Sequence, residues 1–160
     1  MGENGEMVIK SQFEFEHVPK MFCSQDTSTT AVSLLIVAFS TSKNERNNVR
    51  QTWAQKLPEN VKVLFMLGQQ QDMMSQEEKM SSESEKFQDI LQSKVAINDP
   101  AYEFKQLLIL LSWVYHECPT LRFVLKTTSD TYINVPKVSQ LVEQEMYAAN
   151  RIYGELVSCM

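Results

Sequence analysis

Short apolar runs alternate along this chain with polar stretches of helical spacing. Val32 to Phe39 (VSLLIVAF) is almost continuously apolar. Such a run predicts a strand covered on both faces, as in a parallel sheet. After the polar link Ser40 to Lys43, Asn44 is the expected cap of a helix running to about Lys56, with Pro58 as its stop. Val61 to Leu67 is a second strand, ended by Gly68, and Gln69 to Gln76 reads as a polar loop. A helix is expected over 82–91, with Glu83 and Glu85 near its start, where the helix dipole favours anions. Val95 to Ile97 is a short strand candidate. Asn98, Asp99 and Pro100 turn into a long helix over about 101–117, terminated by Pro119. Residues 121–126 form a further strand, and Thr127 to Tyr132 a polar break. Pro136 sits in the first turn of a last helix, to about Tyr147. Ile152 to Val157 begins another strand. Residues 1–30 carry no sustained period and read as an irregular leader or stem remnant, although Phe13, Phe15 and Phe22 could pack on a neighbour.

This β–α alternation predicts an α/β sandwich with a mostly parallel sheet. Ligands of such sheets sit at the carboxyl ends of strands. Two loops therefore become candidates, Ser40 to Arg50 and Lys126 to Asn134.

Composition narrows the function. The 160 residues suit one domain, and 43% hydrophobic with 22% charged residues excludes a disordered or fibrous chain. A net charge of −5 argues against non-specific nucleic-acid binding, which needs a basic field. No apolar run approaches the roughly 18 residues of a bilayer-spanning helix, and the first residues lack a signal-peptide pattern. Cys23, Cys118 and Cys159 form no CxxC pair, so zinc is not expected and at most one internal disulfide can form. GxGxxG, GxxxxGK and GxSxG are all absent.

The candidate chemistry lies in the two loops. Arg46, Arg50 and Trp53 fall on one helical face. A guanidinium fork suits diphosphate oxygens. Taken alone, however, Arg46 reads as part of a solvated basic face with Trp53 tucked into the core, and Arg50 is balanced between the two roles. Asp130 follows a buried strand, a place suited to a metal-bound phosphate, because Mg2+ and Mn2+ use one or two carboxylates plus substrate oxygens. A turn in which Asp130 only bonds backbone amides is the simpler reading of that residue by itself.

In order, the segments resemble a family. "ERNNVRQTWAQ" at 45–55, "VKVLFMLGQ" at 61–69, "ESEKFQDILQ" at 83–92 and "WVYHECPTLRFVLKTTSDTYIN" at 113–134 are similar to consecutive motifs of the β-1,3-galactosyltransferase and β-1,3-N-acetylglucosaminyltransferase family. The resemblance implies a GT-A (Rossmann-like) nucleotide-sugar-binding fold, with residues 31–160 as its donor-binding part and the C-terminal part incomplete. It implies a UDP-sugar donor, a glycan acceptor, Mn2+, inverting hexosyl transfer and a Golgi membrane or lumen setting. By position it brings Arg46, Arg50, Asp89 and Lys126 near the donor and gives Asp130 to the metal. Thr128 stands where the family has the first acid of its Asp-x-Asp motif, which should weaken metal binding. Lys105 is the nearest counterpart of a family lysine, and no residue here matches the family's general base. The resemblance also suggests a Cys23–Cys118 disulfide, against two free thiols. The expectation is therefore a partial or inactive hexosyltransferase, with no detectable transfer from these residues alone. The alternative is a non-catalytic nucleotide-sugar-binding remnant or a partner of a full-length relative.

Overall fold

A computed structural model describes residues 13–20, 22–23, 31–69, 74–144 and 151–154, with the backbone alone for 74–79. Its elements are β1 (Phe15–His17), β2 (Leu34–Phe39), α1 (Lys43–Gln51), β3 (Val61–Gln69), α2 (Met74–Phe87), β4 (Ile90–Ala96), α3 (Tyr102–Glu117), β5 (Phe123–Thr128) and α4 (Val135–Gln144). The five-stranded sheet has the order β1-β4-β3-β2-β5. Its β4-β3-β2-β5 part is parallel and β1 is antiparallel at the β4 edge. The mostly parallel α/β architecture is thus present.

The apolar runs dictate this arrangement. Leu34 to Ala38 in β2 and Val63 to Leu67 in β3 are buried along their length, because helices cover both faces. On one face lie Ile36, Val63 and Phe65 with Val49, Trp53 and Val135, flanked by Met80, Val138 and Val142. On the other lie Val37, Leu64 and Leu91 with Ile109, Leu110 and Trp113 of α3, joined by Phe22. Phe22 belongs to the stretch read as an irregular leader, and within that stretch β1 pairs with β4 through Phe15 and Ser93.

Several element boundaries differ from the expectation. Ser42, not Asn44, caps α1, and its hydroxyl accepts from the Glu45 N–H at 3.5 Å. The helix ends at Gln51 instead of Lys56. Gly68 does not end β3, which runs on to Gln69. A Cβ at Gly68 would sit 2.6 Å from the Val95 carbonyl and against the Tyr102 ring, so the glycine serves a close approach. Met74 to Gln76 lie in α2; residues 70–73 fall outside the described ones. The largest correction is the 82–91 helix. Gln88 takes a positive φ of 52°, which ends α2, and Ile90 and Leu91 are fully buried strand residues. Their apolar pair fits either element by period, and pairing with Phe65 and Met66 decides for the sheet. β5 is displaced toward the C-terminus and takes in Thr127 and Thr128. Residues 151–154 are not strand, and 155–157 lie outside the described residues.

Candidate functional site

Strand order reverses between β2 and β5: the chain steps from β2 outward to β3 and β4, then returns to β5 on the other side. Ligand crevices of open α/β sheets open at such a switch point. Here the loops after β2 and β5 are bonded together. The Ser129 N–H donates to the Phe39 carbonyl at 3.1 Å. The Ser129 hydroxyl donates to the Glu45 carboxylate in the first turn of α1. The Trp53 indole N–H donates to the Thr131 carbonyl at 3.1 Å. This stitching leaves Asp130 exposed at the switch point. The Thr128 hydroxyl donates to the Asp130 carboxylate, and that bond holds Asp130 below the ordinary carboxylate range. Asp130 is therefore an anion throughout the neutral range. Lys126 projects from the same face of β5 as Thr128, its ammonium 4.8 Å from the centre of the Phe39 ring.

Arg46, Arg50 and Asp89 form a second, separate cluster. Arg46 is not part of a solvated face: it is 1% exposed. Its Nε and Nη2 donate to the two oxygens of Glu83 at 2.9 and 2.8 Å. Its Nη1 is buried and meets no partner among the described residues. Arg50 donates to Glu83 at 2.8 Å and to both oxygens of Asp89 at 2.8 Å. The Arg50 guanidinium also stacks over Phe87, 4.0 Å from the ring centre. Burial pushes the Glu83 carboxyl up, but its bonds to Arg46 and Arg50 outweigh that and hold it below the usual range. Arg50 is likewise lowered by burial, and Asp89 and Glu83 outweigh that cost, so its pKa is raised.

Glu45 and the Arg50–Asp89 pair stand at opposite ends of α1, while Arg46, in the first turn beside Glu45, turns to Glu83. Glu45 in its first turn reaches β5, whereas Arg50 in its last turn reaches the entry of β4. Strand register agrees. Ala38, Phe65 and Thr127 share one level, Asp89 precedes it on β4, and Asp130 follows it beyond β5. With β3 and β2 between them, the two carboxylates are about 14 Å apart across the sheet alone. The geometry thus brings Asp130, Thr128 and Lys126 to one end of the sheet, and does not bring Arg46, Arg50 and Asp89 to it. Lys105 pairs with Asp99 at 2.5 Å at the start of α3, away from both clusters.

Cys23 and Cys118 are joined as a disulfide with a Cα–Cα distance of 5.1 Å. Three contributors were not singled out from sequence: Glu83, Glu45 and Ser129. For Glu45 a signal existed, since Ser42-x-x-Glu45 is the capping-box spacing. Glu83 heads the family-like segment at 83–92, but its partners lie 33 and 37 residues away, beyond any local pattern.

Among the described residues no group of three or more His, Cys, Asp or Glu could hold a metal. A divalent ion at Asp130 would have this one carboxylate, which is compatible with the sparse protein ligation of ions that also bind substrate phosphates.

A mostly parallel sheet, with the loops after β2 and β5 stitched together at its switch point, defines the class: an open α/β protein. Comparison with known proteins specifies it further. A model of the galactosyltransferase family matches residues 44–159. Human β-1,3-galactosyltransferase 4 is 35% identical over 130 residues, covering 75% of this chain and 34% of that protein. Human β-1,3-galactosyltransferase 5 is 30% identical over 141 residues, covering 84% and 43%. Mouse β-1,3-galactosyltransferase 5 is 28% identical over 137 residues, covering 83% and 43%. The chain belongs to the galactosyltransferase family, and it spans less than half the length of these relatives.

Proposed function

We propose that this chain provides the donor side of a hexosyltransferase that moves a sugar from a UDP-sugar to a glycan hydroxyl in the Golgi lumen. The observation that carries the reading is the exposed, ionised Asp130 at the switch point, in a chain of this family. In it, Asp130 would hold Mn2+ together with the substrate diphosphate, and Lys126 would add a positive charge beside them; the ion would supply charge neutralisation for the departing UDP. Arg46, Arg50, Glu83 and Asp89 enter as a brace that keeps α1, and with it Glu45 and Ser129, in place. The Cys23–Cys118 disulfide suits an oxidising lumen.

A second reading, a nucleotide-sugar binder without transfer activity that pairs with a full-length relative, draws on Thr128. A hydroxyl replaces an acid there and occupies the Asp130 carboxylate. Calorimetry of UDP with Mn2+ tests the shared donor site. We expect Asp130→Ala to weaken UDP at least tenfold in Mn2+ and to change little in its absence. Thr128→Asp should tighten the Mn2+-dependent binding. Equal affinity of wild type and Asp130→Ala in Mn2+ overturns the site. Transfer from UDP-galactose by the Thr128→Asp variant and by wild type separates the enzyme from the binder.

A further inference from the structure

The helix α3 is apolar on two opposite sides. Gln106, Ile109, Leu110 and Trp113 face the sheet and are buried. On the side away from them, Phe104, Leu108, Leu111 and Tyr115 are 64%, 42%, 48% and 79% exposed. Their spacing of four, three and four residues makes one straight stripe along the helix, with the repeat of a coiled-coil seam. Leu107 and Val114, both half-buried, border it. A helix that is apolar all round is one that another element covers.

We propose that this outer face of α3 is a self-association surface on which a second copy of the chain docks through its own α3, antiparallel about a two-fold axis. Three observations choose this occupant. The stripe reads alike in both directions, aromatic–Leu–Leu–aromatic with symmetric spacing. An antiparallel pair therefore sets Phe104 against the partner's Tyr115 and Leu108 against the partner's Leu111, matched in size, as an isologous contact requires. Charge does not oppose the contact: no ionisable side chain lies within the stripe, and the nearby Lys105 is already paired with Asp99. The area is adequate but small. With about 150–250 Å2 for each aromatic and somewhat less for each leucine, the exposed fractions leave roughly 450 Å2 per copy. Two copies bury about 900 Å2, or about 1,100 Å2 with Leu107 and Val114, at the low end for a specific interface, so the pair is a weak, reversible dimer.

Sedimentation equilibrium of the unreduced 160-residue chain, from about 1 to 200 µM to span weak association, tests this. We expect the weight-average mass to rise toward two copies. Leu111→Glu and Leu108→Lys should each abolish the rise while leaving the circular dichroism spectrum and melting temperature in place, since neither side chain faces the core. The double variant Leu108→Lys/Leu111→Glu places each lysine opposite the partner's glutamate only in an antiparallel pair, so it should regain at least tenfold in association over either single variant. A mass of one copy throughout overturns the proposal. So does association indifferent to both single changes, and absence of rescue overturns the antiparallel arrangement.

Discussion

Glu83 lies on the inner side of α2 with its carboxylate 1% exposed, and two guanidiniums bond to it. Removing one member of a buried ion group leaves the others uncompensated, typically at about 3–5 kcal/mol. We expect Glu83→Ala to lower unfolding free energy by about that amount, measured by urea denaturation at pH 7. Replacing Arg46 and Glu83 together by methionine should recover much of the loss, because the pair's desolvation cost goes with it. The pH dependence has a defined sign. The Glu83 pKa is depressed in the folded state. Its contribution is therefore present above the unfolded carboxyl pKa of about 4.3 and is lost as pH falls through the folded value. The gap between wild type and Glu83→Ala should stay constant above about pH 5 and shrink as pH falls below the unfolded value. A constant gap would contradict the assignment.

At the scale of elements, the contact between β3 and α3 depends on Gly68. A methyl group there meets the Val95 carbonyl and the Tyr102 ring, with Gln106 Nε2 2.8 Å away. Backbone cannot yield as a flexible side chain does. Gly68→Ala is expected to cost about 1–3 kcal/mol, read as a fall in melting temperature, with UDP affinity at Asp130 little changed. An unaltered melting temperature would mean that β3 and α3 separate there without penalty. Element identity was legible where length and period agreed. The apolar runs of β2 and β3 and the length of α3 left one interpretation each. It was not legible at Asp89 to Leu91, where two apolar residues after a helical stretch fit both continuations. β1 was equally silent, since three residues at a sheet edge carry no period.

For the molecule as a whole, a covalent link ties the N-terminal segment to the end of α3. The Cys23–Cys118 bond closes a loop of 95 residues and holds Phe22 against Trp113, 5.9 Å between ring centres. A cross-link of that span restricts the unfolded chain, typically by about 2–4 kcal/mol. Cys118→Ser should therefore lower the urea midpoint by the corresponding amount, and dithiothreitol should do the same to wild type but not to the variant. Among the described residues no helix is long and apolar enough to cross a membrane.

The sequence by itself determined the alternation of strands and helices, the parallel character of the sheet and the family, because each is written in local period or in ordered motifs. It placed Asp130 just past a buried strand, at the carboxyl end of a parallel sheet, and only the family resemblance gave that residue to a metal. Only the tertiary structure decided which groups Arg46 and Arg50 meet. One helical face holds both, and sequence spacing is the same for a face turned to a diphosphate and a face turned to a carboxylate. The carboxylates of Glu83 and Asp89 reach that face only after β3 and β4 have paired. Long-range pairing, not local pattern, sets which charges meet.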